Sequence, residues 1–170
     1  MLLILPLFQF CSTNKQTLNV VDEVDLEKYT GTWYEIARLP NRFEEGLKCI
    51  TATYQLRSDG KISVINRGHN IENPEITEKA EGWAKIPNKQ EPGKLKVTFF
   101  WPFFGKYWIL ELDEDYQHVL VGSPSRKYLW ILSRDKEMNR PDYDDLVNKA
   151  KGKGFDISKL IKTKHDCDPK

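Results

Sequence analysis

Three side chains in this 170-residue chain carry sulfur able to act as a nucleophile, a ligand or a cross-link: Cys11, Cys49 and Cys167. An odd count sets one of them apart. Cys11 directly follows the apolar run Leu2-Leu3-Ile4-Leu5-Pro6-Leu7-Phe8, which looks like the end of an export signal and makes Cys11 a processing or lipid-attachment site. Cys49 and Cys167 then remain as a pair that an oxidising compartment could join; the alternative is three buried thiols in a cytosolic protein. The three histidines, His69, His118 and His165, stand far apart with no metal-like spacing. Gly122-Ser123-Pro124-Ser125 lacks the flanks of a nucleophile elbow. No metal and no cofactor is expected.

The elements that must position any site are short and aromatic-rich. Lys plus Arg number 26 against 25 Asp plus Glu, a balance that argues against nucleic-acid binding, which needs a basic excess on one face. Five Trp, seven Tyr and eight Phe favour a pleated, half-buried surface. No apolar run reaches the ~18 residues of a membrane-spanning helix. Residues 1–11 read as a truncated or atypical lipoprotein signal ending at Cys11, and 12–24 as a polar tether. Runs rich in Thr, Val, Ile and aromatics follow at 32–39, 50–57, 61–68, 76–86, 94–101, 106–112, 117–121 and 127–134, each closed by turn residues such as Ser58-Asp59-Gly60. Eight such strands with tight connections suggest an all-β fold, an antiparallel up-and-down barrel whose closure removes exposed edges and whose interior holds one small ligand. One helix follows, with Pro141 at its start, Tyr143, Leu146, Val147 and Ala150 on one apolar face, and Gly152 and Gly154 stopping it. It would pack outside the barrel. In a meander the connections at 40–48, 69–74, 102–105 and 122–126 share one rim. Trp33 and Arg134 share the other, where a guanidinium can stack on an indole.

These residues resemble a known family. Gly31-Thr32-Trp33-Tyr34 resembles the Gly-x-Trp motif that opens a lipocalin barrel, Asp115-Tyr116 the second lipocalin motif, and Tyr128-Leu129-Trp130-Ile131-Leu132-Ser133-Arg134 the third with its closing Arg. The stretches Lys28 to Arg38 and Lys48 to Tyr54 are closer still to the bacterial lipocalins and apolipoprotein D. The resemblance covers about residues 22–165, within a domain placed at 25–170. It implies a lipid-binding calyx and, through the bacterial branch, a lipoprotein anchored by Cys11 at the outer membrane with its barrel facing the periplasm. It also implies a Cys49–Cys167 disulfide.

By the same resemblance, Tyr54, Asn66, Tyr107 and Trp130 line the pocket. Because strand side chains alternate, Ile50 and Ala52 then face inward with Tyr54, Ile62 and Val64 with Asn66, and Tyr128 and Leu132 with Trp130. Leu95, Val97 and Phe99 share a face, and Glu35 and Ala37 follow Trp33. Such a cavity suits an acyl chain with a polar head, a fatty acid or lysophospholipid. Glu35 either receives a ligand hydroxyl or pairs with an Arg as a structural contact, and the second is favoured. Two other functions stay open. A lipocalin-type isomerase works through a barrel Cys, here Cys49, though a disulfide would remove its thiolate. A surface module would use the aromatic run 99–105, where Trp101, Phe103 and Phe104 flank Pro102 at the open rim and meet a membrane or a second copy in a homodimer.

Overall fold

The computed structural model describes residues 17–167. Alternating apolar residues bounded by turns form eight strands: β1 (Gly31–Arg38), β2 (Leu47–Leu56), β3 (Ile62–Asn70), β4 (Thr77–Lys85), β5 (Lys94–Phe100), β6 (Phe103–Leu112), β7 (His118–Gly122) and β8 (Leu129–Ser133). Each pairs antiparallel with the next, and β1 pairs with both β8 and β2, so the sheet closes into the expected barrel. Gly31 opens β1 at φ +96°, and a Cβ there would stand 3.3 Å from the Arg134 guanidinium, so this turn requires glycine twice over.

A four-residue helix, α1 (Leu26–Tyr29), precedes the barrel. Asp25 caps it by accepting from the Glu27 and Lys28 amides, and it buries Tyr29 against Trp33 and Tyr54. Helix α2 (Arg140–Gly152) is capped by Asn139, whose side chain accepts from the Asp142 amide. Its buried Leu146 and Ala150 pack with Ala37, Leu39, Leu120 and Ile131 on the outside of the wall.

Several local expectations change. The stretch 17–24, expected within a tether, lies partly against the barrel. Leu18 is buried in the cluster under α2, and the Val21 amide donates to Ile109 O at 3.0 Å. Ala37 does not follow Trp33 and Glu35 inward. A bulge between Glu35 and Ala37 shifts the register against β8, which leaves Ala37 under α2 and brings Arg38 beside Glu35 instead. β6 begins at Phe103, three residues earlier than expected, so Phe103 and Phe104 belong to a strand and not to a loop.

The C-terminal segment fills the seam between β1 and β2 near the mouth. β1 pairs with β2 only over Gly31–Tyr34; beyond that, Ala37 and Arg38 pair with Lys162 and Ile161 of a two-residue strand, β9 (Ile161–Lys162). The Cys49 amide donates to Lys164 O at 2.7 Å, and the Cys49–Cys167 disulfide secures the segment, as the resemblance implied. Across the barrel, β4 meets β5 only through Trp83, Ala84 and Lys85, and Thr77 to Glu81 are exposed above that point.

Candidate functional site

Inside the barrel is a cavity of about 100 Å³. Glu35 from β1, Ala52 and Tyr54 from β2, Val64 and Asn66 from β3, Phe99 from β5, Tyr107 from β6 and Trp130 from β8 all line it, whereas Ile62, expected inward with Val64, is buried in the barrel core outside this lining. Ile50, Thr51, Ala84, Leu95, Val97 and Leu132 complete the apolar surface, with Glu44 from the β1–β2 connection. Tyr128 lies beyond this lining, stacked on Trp130 at 5.9 Å between ring centroids and touching Phe43 at the mouth. The space is narrow beside the ~300 Å³ of a drug-sized pocket.

The closed end has a polar floor. The Tyr107 hydroxyl lies 2.7 Å from that of Tyr29 and 2.9 Å from that of Tyr54. Burial raises all three phenol pKa values, Tyr54 to about 12, so the hydroxyls keep their protons. Two bonds among three hydroxyls use two protons and leave one donor to spare. Beneath them Trp33 is fully buried, and its Nε1 donates to Tyr29 O at 2.9 Å. The Arg134 guanidinium stacks 3.8 Å from the Trp33 ring centroid and donates to the carbonyls of Lys28, Thr30, Thr32 and Tyr116. Tyr116 accepts from the Asp25 amide at 2.8 Å, and Asp115 O accepts from Gln117 Nε2. The three motif segments therefore meet at this end.

Toward the mouth is a charged cluster. Arg38 Nη1 donates to Glu35 Oε1 at 2.8 Å, the structural pairing favoured from sequence, and Thr163 Oγ1 bonds the same oxygen. Arg38 Nη2 donates to Glu44 O at 2.8 Å, and Nε lies 3.6 Å from Glu44 Oε2. Trp130 Nε1 donates to both Glu44 oxygens, at 3.2 and 3.1 Å. Burial, then the nearby Glu44 carboxylate, pushes the Glu35 pKa up to about 8 against the pull of Arg38. Arg38, Glu44 and Thr163 carry no sequence signal. Arg38 reaches the cluster through a bulge, Glu44 sits in a connection, and Thr163 arrives from far along the chain.

The remaining candidates are dispersed. His69 bonds Pro74 O, His118 lies 3.8 Å from Asp142, and His165 Nε2 is 2.8 Å from Glu35 O. Cys49 is spent in the disulfide, which leaves no thiolate for an isomerase-type reaction. Cys11 lies outside the described residues. Phe100, Trp101 and Phe103 at the β5–β6 tip are 79, 76 and 77% exposed. Phe104, expected beside them, turns to the other face and meets Trp83 edge-on at 5.2 Å.

A model of the lipocalin-like domain matches residues 24–165. The chain belongs to the lipocalin family. The outer membrane lipoprotein Blc of Citrobacter freundii is 45% identical over 149 residues, spanning 88% of this chain and 84% of that protein. Temperature-induced lipocalin-1 of Arabidopsis thaliana is 44% identical over 166 residues, 92% of this chain and 88% of that protein. Apolipoprotein D of Macaca fascicularis is 34% identical over 157 residues, 88% and 82% respectively. Among solved structures, insecticyanin from Manduca sexta superposes with a TM-score of 0.69 at 26% identity, covering 87% of this chain and 84% of that one.

Proposed function

We propose that this lipocalin binds a single-chain lipid, a fatty acid or lysophospholipid, and carries or stores it at the bacterial outer membrane without chemical conversion. The observation that carries the reading is the cavity, a narrow space walled by Ala52, Val64, Leu95, Val97, Phe99 and Leu132 with polar groups at both ends. An acyl chain gains roughly 0.8 kcal/mol for each methylene it buries, before ordering costs. The relatives called outer membrane lipoprotein support the location. In this reading Cys11 holds the lipid anchor and the barrel faces the periplasm. Mass spectrometry of an organic extract of the purified protein is expected to find a fatty acid or lysophospholipid. Titration of delipidated protein should then change Trp130 fluorescence. An empty extract together with no response to either lipid class contradicts the reading.

The rim adds a second element. Phe100, Trp101 and Phe103 project beside the stretch where β4 has parted from β5, with Phe43, Ile71 and Ile76 also exposed. A tip of this kind suits insertion at the lipid headgroup level, with the mouth pressed to the bilayer. Replacing Phe100 and Phe103 with Ser is expected to slow lipid uptake from vesicles and leave affinity for dispersed lipid unchanged. A change of mass in light scattering would assign the same surface to a homodimer.

A further inference from the structure

The outer wall of β4, β5 and β6 carries a row of like charges. Ala84, Leu95 and Tyr107 face the cavity, so alternation turns Lys85, Lys96 and Lys106 outward. In the register of the sheet Lys85 stands directly opposite Lys96, and Lys96 directly opposite Lys106. All three are exposed, and like charges so placed repel across the ladder. The acids near this wall are engaged elsewhere: Asp59 with Arg57 and Lys61, Glu81 with Lys79, and Glu91 with Lys94. Among the described residues, none of the three lysines of the row pairs with a carboxylate. Lys85 instead lies 5.2 Å from the Phe104 ring centroid, which orients the ammonium without neutralising it.

Two further placements make this row a surface. Along β6, Lys106 follows the exposed Phe103 by three residues, about 10 Å, so the row lies one layer below the aromatic tip of Phe100, Trp101 and Phe103. That is the depth order of a bilayer interface, with rings at the apolar boundary and lysines at the phosphates. The chain also arrives on this side. The Val21 amide bonds Ile109 O on β6, and Val20 lies against Gly93, next to Lys94. Cys11 precedes Leu18 by seven residues, a reach of at most ~25 Å, so an anchor at Cys11 keeps the wall near the bilayer.

We infer that the β4–β6 wall docks on an anionic bilayer, with Lys85, Lys96 and Lys106 together taking the headgroup phosphates of anionic phospholipid. The inference concerns the outside of the barrel and is indifferent to what the calyx holds. It rests on the rim contact proposed above and gives that contact an orientation, with the barrel tipped onto its β4–β6 side. A phosphate layer relieves the repulsion that the fold leaves unbalanced. A second copy of the same face would double the charge, so the row does not favour self-association.

The experiment uses the full chain with Cys11→Ser, so that no anchor holds it to lipid. Co-sedimentation with vesicles of phosphatidylcholine is compared with vesicles containing about one part in four of phosphatidylglycerol. The anionic lipid is expected to raise binding ~10-fold or more at about 0.1 M salt, and the gain should vanish at about 0.5 M. Replacing Lys85, Lys96 and Lys106 with Gln should remove the gain and leave a melting temperature no lower than that of the parent, since repulsion is relieved. A charge-matched control, Lys28, Lys151 and Lys159 to Gln, should keep it. Replacing Phe100 and Phe103 with Ser should instead weaken binding to both kinds of vesicle alike. No gain from anionic lipid, a gain that survives in the row variant, or one lost equally in the control overturns the docking wall and leaves the rim contact standing. A rim variant that changes neither binding overturns the rim contact and the orientation built on it.

Discussion

Two ionisable side chains, Arg134 and Glu35, have opposite consequences. Arg134 closes the barrel end by stacking on Trp33 and donating to four backbone carbonyls, and it stands apart from the cavity lining. Arg134→Ala should therefore lower unfolding free energy by ~2–3 kcal/mol in urea melts and leave lipid affinity of the folded fraction unchanged. An affinity loss with unchanged stability would move Arg134 into the pocket. Glu35 carries a cost that depends on pH. Its folded pKa near 8 lies above the ordinary 4.5, so between those values the native state holds a proton that the unfolded chain releases. Stability contributed by this group thus falls as pH rises through that window, by at most ~1.4 kcal/mol per pH unit, and levels off above it. Glu35→Gln is expected to flatten the decline between pH 5.5 and 8 in a series of denaturant melts. A variant that keeps the full wild-type slope contradicts the assignment. Glu35 was legible in the sequence as an inward acid with an Arg partner, because alternation from Trp33 places it. The partner's identity was not, because the bulge that turns Arg38 inward leaves no mark on residue types.

At the scale of elements, the strands, their order and the outer helix were legible, since turn chemistry such as Ser58-Asp59-Gly60 and the spacing of Leu146 and Ala150 are local properties. What escaped is non-local. β9 has two exposed residues and no hydrophobic alternation, and it exists because β2 leaves β1 unpaired beyond Tyr34. The segment following β9 brings Thr163 to Glu35 and His165 to the Glu35 carbonyl, so the tail supports the polar wall of the site. The disulfide closing a separation of 118 residues should hold it there. Replacing Cys49 and Cys167 together with Ser is expected to lower stability by up to ~4–5 kcal/mol in the chain-entropy account. The amides of Cys49 and Thr163, which bond across the seam, should exchange with deuterium faster than those of β7. Equal protection in variant and wild type would show that β9 pairing alone secures the seam.

For the molecule as a whole, the barrel divides its labour along its axis. The closed end concentrates aromatic packing and backbone-directed bonds around Trp33, Tyr29 and Arg134, and the mouth concentrates charge and exposed rings. In the proposed reading a ligand enters at the mouth, passes the Glu44–Trp130 pair and extends its chain toward the tyrosine floor. On this reading the axis is a binding channel for one acyl chain and not merely a barrel core. Filling the channel tests it most directly. Ala52 lies on the inner wall, and Ala52→Phe would occupy much of the 100 Å³ beside it. Calorimetric titration of delipidated protein with a lysophospholipid is expected to give one site per chain in wild type. In Ala52→Phe, with an unchanged circular dichroism spectrum, that binding should fall ~100-fold, about 2.7 kcal/mol. Undiminished binding to the filled variant, or no binding to wild type, would contradict the account.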